Sequence, residues 1–248
     1  QGNEAKAEAQ VNQVTAGKQS DPAVAGGPNR FVVAWTSNGQ DGSLDGVYAR
    51  SFDGMGNAQG DEYRVNETTA GKQNQPAIAM SPGGNTLVAW ADGTSDSDVK
   101  ARVYGPTGQP MTGELALATS TAMTQSYPSV AALPNANAYV AAWRSDAAGH
   151  EVLVRKLSEL GAGQSDVVSV SESGFLYKDQ RAPTVAVTAS GRVLVCWEAN
   201  TLAVDTGWDI VCRLYQYSDL APLTTSFKPP AYDLGAQRRP DLSVLAGT

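Results

Sequence analysis

The chain of 248 residues is 42% hydrophobic and 17% charged, and carries a formal net charge of −7 at pH 7. That is enough apolar side chain for one large core, which fits a single all-β domain over residues 1–248 and equally two smaller ones. No apolar run approaches the roughly eighteen residues of a membrane helix, and negative charge with Lys and Arg scattered along the chain excludes a nucleic-acid partner, since phosphate binding needs clustered cations.

The polar start, Gln1 to Ala5, has the character of a mature end left after a leader is removed, although an artificial start would look the same. Glu8-Ala9-Gln10-Val11-Asn12 then reads as a strand. From Pro22 onward, short apolar runs recur in fixed order. The first of each set is headed by proline: Pro22 to Ala25, Pro76 to Ala79, Pro128 to Ala131 and Pro183 to Ala186. A tight turn leads to a second run that ends in tryptophan, and Trp35, Trp90, Trp143 and Trp197 fall 55, 53 and 54 residues apart. A third run ends in arginine, at Arg50, Arg102, Arg155 and Arg213, and a fourth follows, as in Glu62 to Asn66 and Glu114 to Ala118.

Hairpin, Trp, Arg and hairpin repeated at about 54 residues describe a supersecondary unit that has been copied and stacked. Four strands per unit is the blade of a β-propeller. Regular strand spacing also suits a two-layer sandwich, which predicts no such recurrence. The expected fold is therefore an all-β propeller with four clear repeats and a partial fifth. The fifth is begun by Arg239 to Leu245, which matches the proline-headed strand, while Glu8 to Asn12 matches the fourth strand. Either the fifth blade is incomplete, as in a fragment of a longer chain, or the ring closes at four with the spare strands covering exposed edges; the incomplete fifth blade is the preferred expectation.

Register follows from the cysteines. Cys196 precedes Trp197 and Cys212 precedes Arg213, and their counterparts are Ala34 with Ala49, Ala89 with Ala101, and Ala142 with Val154. If these small residues face each other across the ladder, Cys196 and Cys212 are placed for a disulfide, and alternation puts Trp and Arg together on the opposite face. The arginines are read as structural, stacked near an indole and bonded to carbonyls of the adjacent blade, rather than as an anion site.

Strand order sorts the loops onto two faces. The loops after the Trp strands, residues 36–46, 91–98, 144–151 and 198–209, are longer, more variable and acidic, and share a face with the crossovers. Variable loops on a fixed scaffold are where binding residues usually lie. The ligand-binding candidates there are Asp41, Asp45, Asp96, Asp98, His150, Glu151, Trp208 and Asp209, with Asp205, Tyr127 and Tyr177 nearby. Carboxylates so placed suit calcium or sugar hydroxyls, while Asp also starts turns for purely local reasons. No cofactor is expected apart from calcium at these carboxylates.

Catalytic signals are weak. His150 is the only histidine, so a triad or a histidine-held zinc would have to be built on one loop residue. Gly17-Lys18 and Gly71-Lys72 lack the preceding glycine of a phosphate loop. Asn66-Glu67-Thr68 is a formal glycosylation sequon. Paired carboxylates for glycosidic cleavage stay open, because their separation is a three-dimensional quantity.

The pairing of Val33-Ala34-Trp35 with Gly46-Val47-Tyr48-Ala49-Arg50, and of Val195-Cys196-Trp197 with Asp209-Ile210-Val211-Cys212-Arg213, resembles a Trp/Arg-containing propeller repeat of large secreted and surface proteins of bacteria. The resemblance runs from about Val11 to the end of the chain. It implies a propeller and an extracellular, cell-surface or periplasmic address, and no enzyme activity. The expected function is thus a non-catalytic binding or adhesion module that recognises a glycan or a protein on its acidic loop face. The alternatives are a glycan-active enzyme using loop carboxylates and a structural spacer. Oligomeric state is left open.

Overall fold

A computed structural model describes residues 7–27, 29–119, 123–146, 150–171, 177–201, 207–229 and 236–244. Asp205 lies outside them, and for Tyr177 only the backbone is described. The first sheet joins β1 (Gln19–Gly27), β2 (Arg30–Asn38), β3 (Asp45–Asp53) and β4 (Tyr63–Arg64) in that order. The second repeats it with β5 (Gln73–Met80), β6 (Thr86–Asp92), β7 (Asp98–Tyr104) and β8 (Leu115–Ala116), and the third with β9 (Gln125–Ala132), β10 (Tyr139–Ser145), β11 (Glu151–Leu157) and β12 (Val168–Ser169). The fourth joins β13 (Tyr177–Val187), β14 (Arg192–Thr201) and β15 (Trp208–Gln216), and an isolated antiparallel bridge from Cys212 to Phe227 marks its fourth lane.

All sheet pairings are antiparallel hairpins. The Trp strands are the most buried: in β6 every residue but the last is buried. A strand covered on both faces loses the polar alternation of a half-exposed one, which is why these segments read as continuous apolar runs.

The small residues do pair across β2–β3 and its counterparts: Ala34 with Ala49, Ala89 with Ala101, Ala142 with Val154 and Cys196 with Cys212. Their purpose is packing. Trp90 shares a core cluster with Val32, Ala34, Val47 and Ala49 of the first sheet. Trp143 does so with Ala89, Val99 and Ala101 of the second, and Trp197 with Val140, Ala142 and Val154 of the third. Each indole therefore lies against the face that the preceding sheet leaves low, and the core sits between sheets.

The repeated arginines knit the same boundaries. Nη1 of Arg50, Arg102, Arg155 and Arg213 donates to the carbonyls of Val11, Val65, Leu117 and Val170, at 3.0, 3.2, 2.8 and 3.1 Å. Nε of each donates within its own sheet, to Gly60, Thr112, Ser165 and Thr224. The expected stacking on indole is not what forms. Arg50, Arg102 and Arg213 lie over Phe52, Tyr104 and Tyr215, the aromatic two residues on, because positions i and i+2 share a strand face.

Cys196 and Cys212 are joined by a disulfide, with Cα atoms 4.0 Å apart and a sequence separation of 16. Closing a loop of that length contributes about 3 kcal/mol in the chain-entropy account. Urea unfolding of a Cys196→Ala/Cys212→Ala variant is expected to show a loss of that order, with reduction of the parent giving a similar shift. An unchanged midpoint in both would contradict the bridge's contribution.

The first strands of the four sheets and the segment Pro240 to Leu242 line one common channel. β1 adjoins β5, β5 adjoins β9, and β9 adjoins β13. Two stacked layers would not bring one strand from every sheet to a single axis.

Candidate functional site

The four proline-headed strands carry a fuller signature than their proline, and the segment around Pro240 shares it although residues 236–244, like Glu8 to Asn12, form no strand. Gln19-Ser20-Asp21-Pro22, Gln73-Asn74-Gln75-Pro76, Gln125-Ser126-Tyr127-Pro128, Gln180-Arg181-Ala182-Pro183 and Gln237-Arg238-Arg239-Pro240 share Gln-x-x-Pro. The residue before each proline is held in the left-handed region, with φ of 51° at Asp21, 55° at Gln75, 52° at Tyr127, 47° at Ala182 and 56° at Arg239. That conformation is uncommon for any residue with a Cβ. In the four sheets it coincides with a break in register between first and second strand. A bulge re-aims a side chain out of the ladder. Here it brings five repeats' worth of one position to a common point: Asp21, Gln75, Tyr127, Ala182, Arg239 and their neighbouring prolines line an open cavity of about 490 Å³.

The cavity opens on the acidic loop face. The Gln residues that begin the first strands pair with the ends of the Trp strands, Gln19 with Ser37, Gln73 with Asp92 and Gln125 with Ser145, from which the long loops depart. The glutamines fasten the crossovers. Gln73 Nε2 donates to the Ala70 carbonyl and its Oε1 accepts from Asn66 Nδ2, while Gln180 Oε1 accepts from Ser171 Oγ. Gly17 belongs to the same joint: at φ 76°, an added Cβ would sit 2.2 Å from the Asn38 carbonyl oxygen, so its glycine serves a tight crossover.

Neighbouring groups brace the rim. Gln75 Oε1 accepts from the Tyr127 N–H at 2.9 Å. Glu198, almost wholly buried, accepts from the Arg239 N–H at 2.7 Å and from Arg181 Nε at 3.0 Å. Arg181 in turn lies 3.8 Å from the centre of the Trp208 ring, and Arg238 lies 5.5 Å from it.

The loop residues singled out from the sequence fall into separate local groups. Asp41 accepts from the Ser43 N–H and from Asn66 Nδ2, and Asp45 accepts from Asn38 Nδ2. Asp96 is exposed in the loop before β7. Asp98 faces Asp92 across β6–β7. Nδ1 of His150 lies 2.7 Å from Arg144 Nη2 and 3.0 Å from Asp146 Oδ1. Glu151 borders a small recess of about 120 Å³ beside Trp143. Trp208 belongs to the arginine stack just described, and Asp209 is paired with Lys228 at 2.7 Å. Of the aromatic residues noted, Tyr127 lines the axial cavity. Asn66 of the sequon is 1% exposed and spends its amide on Asp41, Thr68 and Gln73, so it is closed to glycosylation. No group of three or more His, Cys, Asp or Glu side chains that could hold a metal ion occurs among the described residues.

The second sheet carries an ion network beside the face. Lys100 Nζ lies 2.7 Å from Asp92 and 2.9 Å from Glu114. Burial opposes the charge on Lys100, but bonds to Asp92 and Glu114 outweigh it and raise its pKa. Burial likewise pushes Glu114 up, yet Lys100 and the Thr68 and Glu67 donors bring it below its usual value. Burial, with Asp92 opposite, raises Asp98. A carboxyl lowered on folding contributes stability above its unfolded pKa and loses it as pH falls through its folded value. Lys100→Met is therefore expected to cost about 1 to 2 kcal/mol at pH 7, with the penalty shrinking as pH drops below the carboxylate range. Urea midpoints at pH 7 and pH 3 check this, and a pH-independent penalty would assign the effect to packing instead.

The chain matches no protein-family model and no curated protein sequence. Solved structures share its fold. An endo-arabinase from Bacteroides thetaiotaomicron superposes with a TM-score of 0.52 over 88% of this chain and 85% of its own, at 11% identity. A glycosyl hydrolase from Bacteroides ovatus gives 0.54 over 86% and 71%, at 10% identity. A structure from the family of mannoside phosphorylases that contains glycoside hydrolases targeting β-1,2 mannosidic linkages in Candida mannan gives 0.53 over 87% and 73%, at 10% identity. The likeness is one of fold, and the fold is a propeller-type repeat. The three are glycan-active proteins by name, which goes against the expectation of a non-catalytic adhesion module and favours its glycan-active alternative.

Proposed function

We propose that the protein is a glycan-active enzyme whose substrate enters the axial cavity. The observation that carries the reading is the convergence of Asp21, Gln75, Tyr127, Ala182 and Arg239, each in a strained conformation before a proline, on one open cavity. Residues held in sparsely populated backbone regions cluster at ligand sites, and here the bulge of the repeat places them together. A cavity at the axis with a few polar groups and an aromatic ring suits a sugar, whose ring faces stack and whose hydroxyls bond.

Glycosidic cleavage uses two carboxyl groups, one to protonate the leaving oxygen and one to attack or to activate water. Asp21 is the carboxylate among the lining residues and takes the second of these roles. Glu198, just behind the rim, accepts from the Arg239 N–H and from Arg181 Nε, so it is held as a carboxylate and braces the rim rather than giving up a proton. The loop carboxylates then flank the substrate outside the cavity.

Five Gln-x-x-Pro stations around one channel support a five-bladed propeller, with Gln237 to Leu242, which forms no strand of its own, at the innermost place of the fifth blade and Val11 at the place of Val65, Leu117 and Val170. The Trp/Arg repeat and the disulfide support a secreted or cell-surface address, since such bridges persist in oxidising compartments. Among the described residues, no helix is long and apolar enough to cross a membrane.

Reducing-end release from a panel of plant and microbial polysaccharides tests the reading. Turnover of at least one glycan is expected. Binding without turnover across the panel would contradict it.

A further inference from the structure

Arginines in this chain are almost all committed. Arg50, Arg102, Arg155 and Arg213 are spent on backbone carbonyls. Arg144 is engaged by Asp146 and Asp179, and Arg181 by Glu198. Arg30 and Arg192 donate to Thr86 and Gln216, and Arg64 to the Asn66 carbonyl. Arg238 and Arg239 differ. Among the described residues neither guanidinium has a hydrogen bond or ion-pair partner, both residues are exposed, and Arg239 lines the axial cavity. Arg238 lies over Trp208, which leaves its donors free.

The setting makes these two cations unusual. The chain as a whole carries −7. Asp21 lines the same cavity as Arg239, and no ion pair within 4 Å joins them. The backbone of Arg239 is at the same time fixed at the rim, since its N–H is bonded to buried Glu198 at 2.7 Å and its φ is 56°. A guanidinium presents parallel donors that match the two oxygens of a carboxylate or the oxygens of a sulfate. A neutral sugar offers only hydroxyls, which gain little from a full charge.

We propose that the axial cavity takes an anionic sugar residue, bearing a carboxylate or a sulfate ester, whose charged group is received by Arg239 with Arg238 beside it. The proposal rests on the reading of the axial cavity as a glycan site. It names the substrate class: a uronate-containing or sulfated polysaccharide rather than a neutral one.

The test compares size-matched neutral, uronate and sulfated oligosaccharides, by kcat/KM and by calorimetric binding, for the parent protein and for Arg239→Gln, Arg238→Gln and Arg239→Lys. The parent is expected to favour one anionic series over the neutral one by about ten- to a hundredfold, the range of one to two charge-assisted bonds. The preference should narrow as salt is raised. Arg239→Gln is expected to bring the anionic-to-neutral ratio close to one, and Arg239→Lys to keep part of it at an unchanged melting temperature. Whether the uronate or the sulfated series is preferred identifies the anion. Neutral oligosaccharides turned over as well as anionic ones would overturn this inference and leave the glycan-active reading intact. Tight, Arg239-dependent binding of the anionic series without turnover would uphold the inference and overturn the enzymatic reading. A preference that survives Arg239→Gln and Arg238→Gln would place the anion elsewhere and overturn the assignment.

Discussion

Asp21→Asn is expected to lower kcat on the protein's glycan substrate by about a hundredfold to ten-thousandfold, the usual contribution of a group that moves a proton in the transition state. The exchange keeps the size and shape of the side chain, and among the described residues the one side-chain bond formed by Asp21 is with its neighbour Ser20 at 3.2 Å. The residue is exposed at the cavity rim. Stability should therefore be unaffected, so the melting temperature separates loss of chemistry from loss of fold. KM should change far less than kcat if Asp21 acts at the reacting centre. Undiminished turnover in Asp21→Asn would remove Asp21 from the mechanism.

Trp90→Ala carries the largest expected effect on stability, about 3 to 5 kcal/mol. The indole is fully buried and fills the space that Ala34 and Ala49 leave on the first sheet, so its removal opens a cavity at a boundary between sheets. Trp90→Phe is expected to cost less than half as much. The Trp90 Nε1 has no acceptor among the described residues, and the same is true of Trp35, Trp143 and Trp197, so the exchange removes apolar contact without stranding a partner. Urea unfolding gives both values. Trp90 stands across the β5–β6 bulge from Gln75 and Pro76 of the cavity lining, so Trp90→Phe, which keeps a ring there, is the variant in which turnover per folded molecule should be preserved.

What the sequence disclosed and what it concealed divide along a physical line. The register of β2 against β3, and of its three counterparts, was legible because small residues recur at the same two positions of every repeat, as expected if they face one another; alternation with a period of two then sets the faces of the rest. That Arg50, Arg102, Arg155 and Arg213 reach the carbonyls of the adjacent sheet followed from the same alternation. The partner ring of each arginine did not, since an indole across the strand and an aromatic two residues along it compete for one face.

The axial site was harder to see for a different reason. It takes a single residue from each repeat, and the identities differ at every station: Asp21, Gln75, Tyr127, Ala182 and Arg239. No motif survives such variation. The signal that does survive is the frame around it, glutamine two residues before and proline immediately after. Proline alone suggested a strand beginning; the backbone bulge that turns the intervening side chain toward the axis is a property of the chain's φ angles. The acidic loops leave the sheets on the face where the cavity opens. Asp41, Asp45 and Asp209 are each engaged within their own loop or by a nearby lysine.

The most direct test of the central claim, that the axial cavity is the glycan site, is a crystal structure of Asp21→Asn soaked with the best oligosaccharide from the turnover panel. The sugar is expected in the cavity between Gln75, Tyr127 and Arg239, with its anomeric carbon facing residue 21. An oligosaccharide bound only among the outer loops, around Asp41, Asp98 or Asp209, with the axial cavity unoccupied, would contradict it.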